Sequence, residues 1–123
     1  MRARFLAGSL SVLMVVVGLA GALTAAGCRS LPASKPEAQW TLQEARGARV
    51  YQQQCARCHQ PTTTRPLNGP GLQALTKVRA MPSGAPPTDE RLTQVILHGR
   101  QEMPATPLAD AQLQDLLAYL HTL

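Results

Sequence analysis

Residues 55–59 read Cys-Ala-Arg-Cys-His, two thiols two residues apart with an imidazole directly behind the second. C-x-x-C-H is the spacing at which haem is attached covalently. Each sulfur can add across one porphyrin vinyl group to give a thioether, and the histidine can reach the iron from one side. Two intervening residues let a single turn present both sulfurs, with the imidazole beneath the ring plane. With three Cys and three His in 123 residues, chance produces the pattern roughly 0.002 times per chain, so coincidence is a weak rival. A thioredoxin-like redox pair needs a βαβ context, which the sequence does not offer. A structural zinc site needs two further ligands, and only His98 and His121 remain. The expectation is one haem c held by Cys55 and Cys58, with His59 as an iron ligand.

A low-spin electron carrier also needs a ligand on the far side, usually methionine or histidine, and methionine raises the reduction potential. Outside the N-terminal segment the candidates are Met81, Met103, His98 and His121. Both methionines stand in Pro/Gly-rich loops, off any apolar helical stripe. Met81 follows His59 by 22 residues, a short reach around a ring edge if a helix must also fit. Met103 follows by 44, with a predicted helix between to carry the chain across. The spacing favours Met103, with Met81 as runner-up. His98 suits a helix end, where partial positive charge is stabilised, and His121 suits the surface.

The elements that must position these groups are helical. Thr41 with Glu44 three residues on is a capping-box pattern, and Ala48, Tyr51 and Cys55 share one face of the helix it opens. Thr88-Asp89-Glu90 opens a second helix with Leu92, Val95 and Ile96 as its stripe and Gly99 as its stop. Leu113, Leu116, Leu117 and Leu120 give the clearest helical period, from about Asp110 to the end. Leu72 to Val78 is a candidate fourth helix. Between them lie Pro61, Pro66, Gly69-Pro70-Gly71, Pro82, Gly84, Pro86 and Pro87, and nothing alternates with period two. The fold class is all-α, three to four helices with long loops. A domain of that size is marginal without help, and its aromatic complement is only Trp40, Tyr51 and Tyr119. A haem supplies the apolar body that such a core lacks.

The first 27 residues read as an export signal. Arg2 and Arg4 precede an uncharged stretch from Phe5 to Gly27, rich in Leu, Val, Ala and Gly. The stretch is also long enough for an uncleaved membrane anchor. Leu23-Thr24-Ala25-Ala26-Gly27-Cys28 resembles the bacterial lipobox, although Ala25 stands where that pattern prefers Leu. The resemblance implies a lipidated Cys28, a tether over 28–40 and a folded domain over 41–123. The domain then lies outside the cytoplasm, on the periplasmic side and tied to a membrane. Without Arg2 and Arg4, 10 of the 12 basic residues remain against 7 acidic ones. That mild positive balance suits an acidic protein partner or a phospholipid surface and lacks the basic stripe with interleaved aromatics of a nucleic-acid binder.

Taken together, these residues resemble a monohaem class I cytochrome c of the bacterial type. Gly47-Ala-Arg-Val-Tyr51 before Cys55-Ala-Arg-Cys58-His59 is similar to that family's first helix, where a small residue and an aromatic precede the haem-binding sequence. Asn68-Gly69-Pro70-Gly71-Leu72 is similar to its Gly-Pro loop. The resemblance implies that the Pro70 carbonyl accepts the His59 imidazole N–H. Gly99-Arg-Gln-Glu-Met103-Pro104 resembles the segment that delivers the axial methionine. Leu116-Leu-Ala-Tyr119-Leu120 resembles the closing helix, which implies that Tyr119 crosses the first helix at Gly47. The chain departs from the family at Leu108-Ala109-Asp110, where a Ser or Thr cap is usual, so either Asp110 caps the last helix or its start frays.

The functional expectation is a membrane-tethered electron carrier. Its iron cycles between ferrous and ferric with His59 and Met103 ligands, and no substrate is transformed. Redox proteins would dock transiently at the haem edge. The alternatives are a haem-based ligand sensor with a labile Met103 or a haem subunit of a larger oxidase or dehydrogenase. A peroxidase is disfavoured by the single C-x-x-C-H.

Overall fold

Thr41 stands where the chain turns into its first helix. Its hydroxyl accepts the Glu44 N–H at 3.2 Å, and the Glu44 carboxylate accepts the Thr41 N–H at 2.6 Å, so two otherwise orphaned donors are satisfied reciprocally. The Lys35 ammonium also donates to this carboxylate at 2.8 Å. That bond, followed by the Thr41 N–H, holds the Glu44 carboxyl below its ordinary range. The computed structural model describes residues 30–123, so the predicted export segment 1–27 and Cys28 lie outside the described residues.

Helix α1 runs Leu42–Gln54, α2 runs Asp89–His98 and α3 runs Asp110–Leu120, with a 3-10 turn at Glu37–Gln39. The Thr88 hydroxyl accepts the Arg91 N–H at 3.4 Å to start α2. Gly99, at φ 74°, stops it in a conformation that a side chain would strain. Among the described residues there is no strand, and no helix is long and apolar enough to cross a membrane. The fold is all-α, as the loop and stripe pattern predicts.

α3 lies across α1, and the core forms where they meet. Leu113, Leu116, Leu117 and Leu120 are all buried, together with Val50 and Tyr51 of α1 and Leu92 and Ile96 of α2. Each buried leucine stabilises the fold by roughly 1.5–3 kcal/mol. Gly47 sets the approach of the two helices. A Cβ there would lie 1.9 Å from the Asp115 carbonyl oxygen and 2.8 Å from the Tyr119 Cβ. The expected pairing of Gly47 with Tyr119 is therefore present. Just before this contact the Arg46 guanidinium grips the Asp115 carboxylate with two bonds of 2.8 and 2.9 Å, which adds register more than energy at so exposed a place. The domain's three aromatics stack in a line. Trp40 meets Tyr119 edge-on at 5.3 Å, and Tyr119 meets Tyr51 at 5.2 Å.

Three features differ from the sequence reading. The compact unit begins at Leu31, not Thr41. The Lys35 N–H donates to the Thr122 carbonyl at 2.6 Å, and the Trp40 indole N–H donates to the Lys35 carbonyl at 3.0 Å. Residues 31–40 thus pack on the helices where a free tether was expected, because Trp40 has an apolar partner in Tyr119 that composition does not show. Asp110 is the first helical residue, and the cap position is Ala109, whose side chain offers no acceptor. The start of α3 is held instead by the Gln112 side-chain oxygen, which accepts the Ala109 N–H at 3.2 Å. Leu72–Val78 forms successive turns and no helix. Ala74 takes a left-handed φ of 57°, which breaks any helical run.

The crossing yields a direct test. Gly47→Ala must push α1 and α3 apart, at a cost of about 1–3 kcal/mol, and in a domain this small that lowers Tm by about 10 °C. Thermal unfolding followed by circular dichroism should show the loss, and an unchanged Tm would mean that the helices do not meet at Gly47.

Candidate functional site

The site is built on the C-terminal end of α1. Cys55 occupies the cap position, its N–H bonded to the Tyr51 carbonyl at 2.8 Å. The chain then folds into a turn in which the N–H groups of Cys58 and His59 both donate to the Cys55 carbonyl at 2.9 Å. This turn holds two thiols and an imidazole on one short stretch of backbone. Both cysteines are free and half-buried. Cys55 packs against the core, and burial, with the neighbouring Cys58, pushes its thiol up to about 11. At neutral pH it is therefore a protonated thiol, a form poorly disposed to disulfide exchange.

His59 is gripped from several directions. Its Nδ1 lies 2.8 Å from the Pro70 carbonyl oxygen. A carbonyl can only accept, so Nδ1 carries a proton, and in the neutral imidazole the lone pair is the one on Nε2. Gly69 lies against the ring, where a Cβ would come within 2.5 Å of Cε1. The Tyr51 hydroxyl donates to the His59 carbonyl at 2.6 Å. The loop that carries Pro70 is tied to the attachment turn at both ends. The Gly69 N–H donates to the Cys58 carbonyl and the Leu72 N–H to the Gln60 carbonyl, each at 2.8 Å. Gly71 lets the loop pass over residues 63–65, because a Cβ there would lie 2.2 Å from the Thr63 carbonyl oxygen.

Met103 lies in a tight turn after α2. Arg100 and Met103 exchange two backbone hydrogen bonds of 2.9 Å, and Gln101 between them has φ 52°. Gly99 packs under the turn, where a Cβ would meet the Met103 carbonyl oxygen at 2.6 Å. Beyond it the Thr106 N–H donates to the Ile96 carbonyl at 2.8 Å, which fastens the exit to α2. Met81, the other candidate, packs against the hydrophobic core. It also walls a cavity of about 250 Å³ with Arg91, Val95 and Arg100, to which Cys55, Cys58 and His59 contribute nothing. His98 is exposed at the end of α2. His121 is exposed and hydrogen-bonded to the Asp89 carboxylate at 2.8 Å.

The residues present fit a haem of the c type: two free thiols two residues apart, and an imidazole whose outer nitrogen is committed and whose inner nitrogen is not. The family model described as cytochrome c oxidase, cbb3-type, subunit III matches residues 42–120. The chain belongs to this family. Searches of curated proteins and of solved structures give no match. The matched span takes in all three helices, the attachment turn, the Pro70 loop and the Met103 turn. A cytochrome c domain carries covalently bound haem c and serves haem-based electron transfer, and such domains are typically exported. The sequence reading found the C-x-x-C-H motif and Pro70. It missed Gly69 and the Tyr51 hydroxyl, which act through space on His59. For Gly69 the only signal was its place beside Pro70, and for Tyr51 the polar end of an otherwise apolar face.

If the ring rests on Gly69, Gly69→Ala must turn the imidazole away from Pro70. The haem-loaded variant should show a shifted Soret band and reduction potential and a Tm lower by several degrees. A variant with both the spectrum and the potential of the parent would contradict the contact.

Proposed function

We propose that the protein is a membrane-tethered, exported monohaem electron carrier in which Cys55 and Cys58 hold the haem and His59 and Met103 are its axial ligands. The observation that carries the reading is the His59–Pro70 hydrogen bond of 2.8 Å, which leaves Nε2 free beside two free thiols. When bound, the haem supplies a one-electron ferrous/ferric couple. The chain's part is to fix the ligand directions, bury the ring and leave an approach for partners.

Met103 is supported as the far ligand by its pinned turn and by the contrast with Met81, which already serves the core. The same turn speaks against a labile sensor ligand, since hydrogen bonds fasten it on both sides of the sulfur-bearing residue. The family's description supports a second placement, as an electron-transfer subunit of an oxidase.

Charge supports an acidic partner. From Ala45 to Thr88 the chain has six basic residues and no acidic one. Arg46 is committed to Asp115 and Lys77 to the Leu123 carbonyl. Arg57 and Arg65 are exposed on the attachment turn and the Pro70 loop, near Leu67, which is 54% exposed. A basic rim around an apolar contact suits a transient redox encounter steered by charge. The uncharged stretch before Cys28 supports a lipid anchor.

The ligand assignment is tested on the oxidised haem-loaded protein. The parent should show the weak sulfur-to-iron charge-transfer band at the red end of the spectrum, unaffected by cyanide, and after reduction it should bind no carbon monoxide. Met103→Ala should abolish that band and Met81→Ala should retain it. The opposite pattern would transfer the ligand role to Met81.

A further inference from the structure

We propose that Tyr51 is a positioning residue for the His59 imidazole, acting through its hydroxyl on the His59 main chain; this rests on the reading of His59 as an axial ligand. The Tyr51 side chain is fully buried, at 0% exposure, on the α1 face that leads into the attachment turn. Its hydroxyl reaches the His59 carbonyl at 2.6 Å, at the short end of the range for O–H···O bonds. Its ring is backed by Tyr119, which is backed in turn by Trp40, so the donor has little freedom to swing away.

With this bond every polar group of His59 but Nε2 is committed. The N–H goes to Cys55, the carbonyl takes the Tyr51 hydroxyl, and Nδ1–H goes to Pro70. The three partners come from the attachment turn, α1 and the Pro70 loop. Main chain and ring are fixed independently, which leaves Nε2 one direction. The hydroxyl also steadies the other end of the ring's hydrogen bond. The peptide that follows the His59 carbonyl belongs to Gln60, and the Gln60 carbonyl holds the Leu72 N–H, two residues past Pro70. Releasing the His59 carbonyl lets that peptide rotate, and the Pro70 loop moves with it. The aromatic ring fills space in the core, while the hydroxyl orients the ligand, and the two roles separate on removal of one oxygen atom.

The test uses the haem-loaded, reduced and diamagnetic protein. Tyr51→Phe should make the ring-current-shifted His59 Nδ1–H proton exchange with water about fivefold faster, the factor an ordinary hydrogen bond represents. The reduction potential should also move, with covalent attachment unchanged. Tyr119→Phe, in the same aromatic stack but away from His59, should move neither. A Tyr51→Phe protein that loses thermal stability yet keeps the parent exchange rate and potential would overturn the proposal. As a second arm, 3-fluorotyrosine at Tyr51 in the Tyr119→Phe background makes the phenol a stronger donor and should slow the exchange. An unchanged rate there overturns the proposal even where Tyr51→Phe does not mature. Failure of the ligand reading looks different. If His59 is not bound to iron, the parent lacks the shifted resonance and the proposal falls with that reading. If only Met103 is misassigned, the exchange ratios stand.

Discussion

At Gly47 the first helix of the domain runs so close to the last that a Cβ would lie 1.9 Å from a carbonyl oxygen of α3. That approach decides how the α1–α3 core closes. It seats Tyr119 over α1, closes the leucine stripe of α3 onto Val50 and Tyr51, and gives Trp40 a ring to pack against. Any other residue at this crossing has to hold the helices apart. Glycine weakens α1 by its own propensity, and the close packing offsets that loss.

The site inherits its geometry from the crossing. Tyr51 follows Gly47 by one turn and lies buried beneath α3, with its hydroxyl on the His59 carbonyl. Cys55 follows by another turn, as the helix cap. The thiols and the imidazole therefore hang from the end of a packed helix and do not depend on a free loop. The Pro70 loop returns to the same place and closes the arrangement from the other side. Its two glycines have packing reasons, since Gly69 faces the imidazole and Gly71 faces the Thr63 carbonyl. On the proposed reading of His59 as an iron ligand, such rigidity would serve electron transfer by keeping the same coordination in both oxidation states.

Much of this was legible in the sequence because it is written in local spacing. Thr41 with Glu44, Thr88 before Asp89, and Gly99 after His98 mark helix ends by chemistry that acts within four residues. The stripe at Leu113, Leu116, Leu117 and Leu120 marks a buried face by period. What spacing could not show was contact over distance. Residues 31–40 looked like a tether, since the partners of Lys35 and Trp40 lie some eighty residues away at Thr122 and Tyr119. Leu72–Val78 looked helical because a left-handed Ala74 leaves no mark in composition. Asp110 looked like a cap, yet Gln112 holds the start of α3 from inside the helix. At the site, C-x-x-C-H was plain from residue types. The hold of Pro70 on His59 came from resemblance, and those of Gly69 and Tyr51 needed the folded chain.

Everything proposed for this site requires that Cys55 and Cys58 carry one haem covalently. Acidified-acetone extraction of the purified protein followed by intact-mass measurement addresses it directly. The expected result is a chain heavier by one haem that resists extraction, with neither Cys55 nor Cys58 open to alkylation. A chain stripped to the polypeptide mass, with both thiols alkylated, would contradict it.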